Sequence, residues 1–113
     1  TVVRKERQEV EGRMARSMMV HREETRQGRA ERLARVELLL DPASRPHRVL
    51  LALLRQASGI PGLPQDALAL EPIGITCTDD GGCQHRGREV SQQTLLCWAM
   101  RLAQHILQEA DTP

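Results

Sequence analysis

Phenylalanine and tyrosine are absent from this chain of 113 residues, and Trp98 is its one aromatic residue. A buried aromatic ring covers ~150–250 Å², so the core has to be assembled from Leu, Val, Ile, Met and Ala, and each helix covers less apolar area alone. A chain so built is expected to complete its core against a second copy, which makes a homodimer the first expectation. The missing rings also leave no platforms on which exposed bases stack. Lysine is nearly missing too: of sixteen basic residues only Lys5 is lysine. Arginine is a planar donor suited to carboxylates and phosphates, although GC-rich coding enriches it as well. No stretch approaches the ~20 apolar residues of a bilayer span, and no charged start leads into an apolar run. The protein is therefore expected to be neither membrane-inserted nor exported. Three cysteines, an odd number at spacings unlike a secreted disulfide framework, point to a reducing cytoplasm.

The length suits one domain with one core. Net charge is +1 but unevenly placed: residues 1–48 hold twelve Lys+Arg and eight Asp+Glu, +4, whereas 49–113 hold four and seven, −3. The first part is thus the better candidate for meeting an acidic surface. From Arg4 to about Leu40 the chain is rich in helix formers, lacks proline, and pairs Glu9 with Arg13 and Glu31 with Arg35 at i,i+4. This predicts one long helix or two in succession. Val10, Met14 and Met18 share one face, and Leu33, Val36 and Leu40 share another. Between them, 21–32 is almost devoid of apolar side chains and contains Gly28, so it either bridges through solvent or breaks the helix.

Asp41-Pro42 closes this segment, because the residue before proline is pushed out of the helical basin. Ser44 is placed to cap a second helix with Pro46 in its first turn and an apolar stripe of Val49, Leu50, Leu53, Leu54 and Ala57, ended by Gly59. A Pro/Gly link over 59–64 leads into one or two helical turns ending at Leu70. Over 70–90 the pattern changes: Ile73, Ile75 and Cys77 alternate, Asp79-Asp80-Gly81-Gly82 is a turn sequence, and 83–90 is placed to return as a second strand. A small hairpin or an irregular loop is expected there. Ser91 caps a last helix over about 92–110, whose Leu95, Leu96, Trp98, Ala99, Leu102, Ala103, Ile106 and Leu107 form a wide apolar face. The fold class is therefore mainly all-α, a single domain 1–113 with an extended helical segment over 1–40 and a compact helical core over 44–113. Leu50, Leu53, Leu54, Leu95, Trp98, Leu102 and Ile106 are expected to form the core or a dimer interface.

Cys77, Cys83 and His85, with Asp79 and Asp80 between, carry the ligand types zinc prefers. Their six-residue step followed by an alternating Cys-Gln-His departs from the paired two-to-four spacing of structural sites. Neither a metal site, nor any cofactor, nor a Cys77–Cys83 disulfide is expected. Nucleophilic catalysis by Cys83 or Cys97 with His85 or His105 lacks a nucleophile elbow or any phosphate-cradling loop, so an enzyme is not expected. DNA binding of winged-helix type is the alternative function. It is disfavoured by the alternating charges of the first helix and by the two acids in the 78–82 turn, where phosphate would lie.

Protein binding remains. Val10, Met14, Met18 and Met19 form a narrow stripe of adaptable side chains set among arginines, suited to a groove on a partner. Met14 and Met18 are expected at the centre of that surface, Val10 beside them, and Arg13, Arg16 and Arg22 at its rim. In length, extended N-terminal helix, compact helical remainder and Arg/Leu-rich, aromatic-poor composition, the chain resembles the small helical anti-activators that bind quorum-sensing transcription factors of the LuxR type. That resemblance implies a dimeric inhibitor that docks on the regulator and blocks its dimerisation or DNA binding. It carries no functional residue over.

Overall fold

Thr25 opens the part of the chain that the computed structural model describes, residues 25–110. The portion of the expected long helix that precedes it lies outside the described residues. Thr25 is extended, and its hydroxyl accepts a hydrogen bond from the Gly28 N–H at 3.1 Å, capping α1, Arg26–Glu37. Gly28 therefore sits inside the first helical turn, and within 21–32 the helix begins at the extended Thr25 rather than running through it. Val36 is the buried residue of α1, while Leu33, Leu39 and Leu40 pack partly on the core. The helix stops at Glu37, short of the expected Leu40. Leu39 and Leu40 N–H groups bond to Val36 and Glu37 carbonyls three residues back, which tightens the chain into turns.

Across the Asp41-Pro42 link, the Asp41 carboxylate accepts from the Ala43 N–H and the Asp41 N–H donates to His47 Nδ1 at 2.8 Å. Helix α2, Arg45–Ala57, starts at Ser44 with Pro46 in its first turn, as expected, but Ser44 makes no side-chain capping bond. Its stripe of Val49, Leu50, Leu53, Leu54 and Ala57 is buried, together with Ala52 and Gln56. Each buried leucine contributes ~1.5–3 kcal/mol of transfer free energy, so the stripe outweighs the missing cap, worth ~1 kcal/mol. Gly59, at φ +72°, lets the Ile60 N–H reach back to the Arg55 carbonyl and its own N–H to Gln56, a Schellman ending.

The link 59–64 includes a cis Leu63–Pro64 peptide and leads into α3, Gln65–Leu70, which continues as a 3₁₀ turn, Glu71–Ile73. Gly74, left-handed at φ +83°, turns the chain into a sheet of three antiparallel strands in the order β1 (Ile75–Cys77), β2 (Cys83–His85), β3 (Arg88–Val90). The expected single hairpin is thus two, because 83–90 folds back on itself. Arg86 (φ +52°) and Gly87 (φ +83°) form a two-residue turn in which both residues are left-handed, the geometry that matches strand twist. Cα pairing sets Ile75 opposite His85, Cys77 opposite Cys83, and Cys83 opposite Val90.

Helix α4, Gln92–Ala110, is capped by Ser91, whose hydroxyl accepts from the Thr94 N–H at 3.2 Å. It packs along α2, and α2 also packs on α3, which in turn covers β1. Leu50, Leu53, Leu54, Leu95 and Ile106 are buried as expected, and Leu70, Ile75, Ala99 and Ala103 join them. Trp98 and Leu102 are only half-buried at the edge of the core. Residues 95, 99, 103 and 106 recur at four- and three-residue steps through the centre of the face, which leaves 98 and 102 on its flank. Trp98 instead meets His85 edge to face, with ring centroids 5.0 Å apart.

Candidate functional site

Two features rise above the packing: a groove on the outer side of α2 and α3, and a buried chain of polar side chains beneath it. The groove, of about 660 Å³, runs between the end of α1, α2 and α3. Leu40 and Pro42 of the link, Leu51 and Ala52 of α2, and Leu68 and Ala69 of α3 give it an apolar lining. The exposed Arg45 and Arg48 of α2 and the exposed Glu37 and Asp41 flank that lining with both signs of charge. Leu68 is 69% exposed. It points outward because α3 spends its other face on Leu70, which is wholly buried. The link is braced by Arg48 Nη1, which donates to the Pro42 carbonyl at 3.0 Å. Elsewhere on the surface Leu38 is 85% exposed and Ile73 42%.

Beneath the groove, Gln56 and Asp66 are buried polar residues with 1% and 2% exposure. The Asp66 carboxylate accepts from Gln56 Nε2 at 2.9 Å and from the Gly62 N–H, with Arg55 Nε 3.9 Å away. On the other side of the amide, Cys83 Sγ donates to Gln56 Oε1 at 3.4 Å and lies 3.6 Å from Cys77 Sγ. The sheet is thereby linked through α2 to the start of α3 by hydrogen bonds shielded from water, which leaves each group dependent on its neighbour. All three cysteines are free.

Burial pushes the Cys77 thiol up to about 12 from 9.0, with further contributions from the hydrogen bond and charge of Cys83 and the charge of Asp66. Burial raises Cys83 as well, against an opposing contribution from its hydrogen bond with Cys77. Both thiols are held protonated near neutral pH, so a thiolate forms at either sulfur only at a cost. His85 turns to Trp98, and among the described residues no three or more His, Cys, Asp and Glu side chains stand together as a ligand set. In the β1–β2 turn the Thr78 hydroxyl donates to the Asp80 carboxylate, and the Gly82 N–H donates to it at 3.1 Å. These bonds, the Thr78 one foremost, hold Asp80 below the usual carboxylate range.

The residues expected to bind a partner, Val10, Met14, Met18, Arg13, Arg16 and Arg22, all lie outside the described residues. The groove was not anticipated. Its signal in the sequence is Leu51, an apolar residue set off the α2 stripe and flanked at i−3 and i+4 by Arg48 and Arg55. The signal for the polar chain is Gln56, a lone amide three residues after Leu53 on the buried face. No helix among the described residues is long and apolar enough to cross a membrane. Comparison with known proteins finds no matching family model, no similar curated protein and no similar solved structure.

Proposed function

We propose that this chain is a regulatory protein-binding module. In its most specific form the proposal is a cytoplasmic, homodimeric anti-activator that binds a transcription factor of the LuxR quorum-sensing type and blocks the factor's dimerisation or DNA binding. The observation that carries the protein-binding reading is the groove with Leu68 standing open to solvent at its edge. A single exposed leucine is ordinary, but one beside a concave apolar lining with mixed charges around it has the form of a receptor for an amphipathic helix. The stripe of Met14 and Met18 expected from the sequence would be a second surface of the same chemistry, for the same partner or for a second copy. A DNA duplex is the poorer fit, because the exposed Asp79 and Asp80 at the β1–β2 turn repel phosphate.

The test is affinity capture of the tagged full chain from its native cell after nuclease treatment, run beside Leu68→Asp and the double variant Met14→Asp/Met18→Asp. A stoichiometric transcription factor that is lost from Leu68→Asp, while that variant melts like the parent, supports the reading. Nucleic acid recovered without nuclease and no protein recovered with it contradicts the reading and favours the DNA-binding alternative.

A further inference from the structure

Cys77 and Cys83 face one another on neighbouring strands, and the ladder places them on a particular kind of rung. Rungs of an antiparallel pair alternate between hydrogen-bonded and non-hydrogen-bonded. The Thr78 N–H donates to the Gly82 carbonyl at 2.9 Å and the Arg86 N–H to the Gly74 carbonyl at 3.0 Å. Counting inward from either bond, the Cys77–Cys83 pair falls on a non-hydrogen-bonded rung, where Cα atoms approach to about 4.5 Å and side chains are closest. Disulfides accept Cα separations of ~4.4–6.8 Å, a range that includes the usual spacing of such a rung. The two sulfurs already lie 3.6 Å apart. Cys83 is buried and Cys77 half-buried, which makes Cys77 the thiol a small oxidant reaches first.

We propose that Cys77 and Cys83 form a reversible disulfide by exchange with low-molecular-weight disulfides, and that Gln56 and Asp66 carry the change to residues 59–66. In the first step the Cys77 thiolate, its proton released to solvent, attacks one sulfur of a disulfide such as oxidised glutathione and expels one glutathione thiolate. In the second, the deprotonated Cys83 attacks the Cys77 sulfur of the mixed disulfide and expels the other. Two protein thiols lose two electrons and two protons, and one small disulfide is reduced to two thiols. The unfavourable thiolate at Cys77 slows the first step. Near neutral pH the thiolate is only a transient species, so its cost slows formation of the link and leaves the balance between dithiol and disulfide unchanged.

The consequence follows from Gln56. In the reduced protein Cys83 gives its S–H to Gln56 Oε1, and a disulfide has no hydrogen to give. Gln56 is 1% exposed, so water does not replace the donor, and an unsatisfied buried acceptor is costly. The amide must reorient, and its bond from Nε2 to Asp66 is the next in the chain, followed by the bond that Asp66 accepts from Gly62. Asp66 also lines the groove, so the inference is tested on the chain without a partner.

The full chain carrying Cys97→Ser, which removes the exposed thiol, is equilibrated in glutathione buffers from fully reducing to oxidising, then analysed by mass spectrometry and amide hydrogen exchange. The expected oxidised species is lighter by two hydrogens, has its 77 and 83 peptides linked, and reverts with excess dithiothreitol. Its exchange at Gly62 and across 59–66 is ~10-fold faster than in the reduced form. A second chain with Cys83→Ser added keeps a donor for Gln56 but has no partner thiol. It is expected to stop at the mixed disulfide on Cys77 with exchange at Gly62 unchanged. Failure of the link to form overturns the proposal. So does a link that leaves 59–66 unaltered, or the same acceleration in the Cys83→Ser chain.

Discussion

Asp66 accepts hydrogen bonds from Gln56 and Gly62 while almost wholly shielded from water. Asp66→Ala leaves a buried amide and a backbone N–H without an acceptor, and the expected loss is ~2–3 kcal/mol. Urea denaturation reads this as a lower midpoint at constant slope; an unchanged midpoint would mean that solvent reaches both donors. Cys77 makes a prediction in the alkaline range. Its folded pKa of about 12 lies above its ordinary 9.0, so the stability it contributes is complete below 9.0 and is lost as pH rises through the folded value. Cys77→Ser should flatten that part of the stability–pH curve, and a curve of identical slope would assign the loss to other groups. Arg86 and Gly87 test the turn. Gly87 is left-handed and a Cβ there would meet nothing within 4 Å, so Gly87→Ala costs only the conformational ~1–2 kcal/mol of a left-handed alanine. Arg86→Asn, which tolerates the same region better, should raise the melting temperature.

At the scale of elements, the helices were legible because their apolar residues recur at three and four and their ends carry recognisable residues. Ser91, Pro46 and Gly59 all serve at the positions their chemistry suggests. Strand β3 was not legible as a separate element. Arg88 and Glu89 are both exposed, so 88–90 shows no alternation, and the turn before it reads Arg-Gly rather than the familiar Asn-Gly. The wide face of α4 was legible as a face but not in its depth, since periodicity alone does not tell which column of the face meets α2. That difference is measurable. Leu95→Ala, at a wholly buried position, should cost ~2–5 kcal/mol, and Leu102→Ala, on the half-buried flank, less than half as much. Equal losses in chemical denaturation would place Leu102 in the centre of the core.

For the whole molecule, the groove exists only because the end of α1, α2 and α3 come together, and such a juxtaposition leaves no local mark in a sequence. Leu51 and Leu68 lie on different elements, and nothing local to either marks them as neighbours on one surface. Under the proposed function, binding and stability separate at Leu68. An exposed side chain away from caps and buried contacts contributes within about 0.5 kcal/mol, so Leu68→Asp should leave the melting temperature nearly unchanged while removing partner binding. A loss of folding would instead make Leu68 part of the packing.

The most direct test of the proposed function takes the transcription factor that affinity capture is expected to recover, binds it to its own promoter DNA, and adds increasing amounts of this chain while the anisotropy of the labelled DNA is followed. Saturable release of the DNA at a fixed ratio of the two proteins is expected, with Leu68→Asp failing to release it at the same concentrations. DNA that stays bound throughout, or anisotropy that rises with the chain alone and collapses steeply with salt, would contradict it.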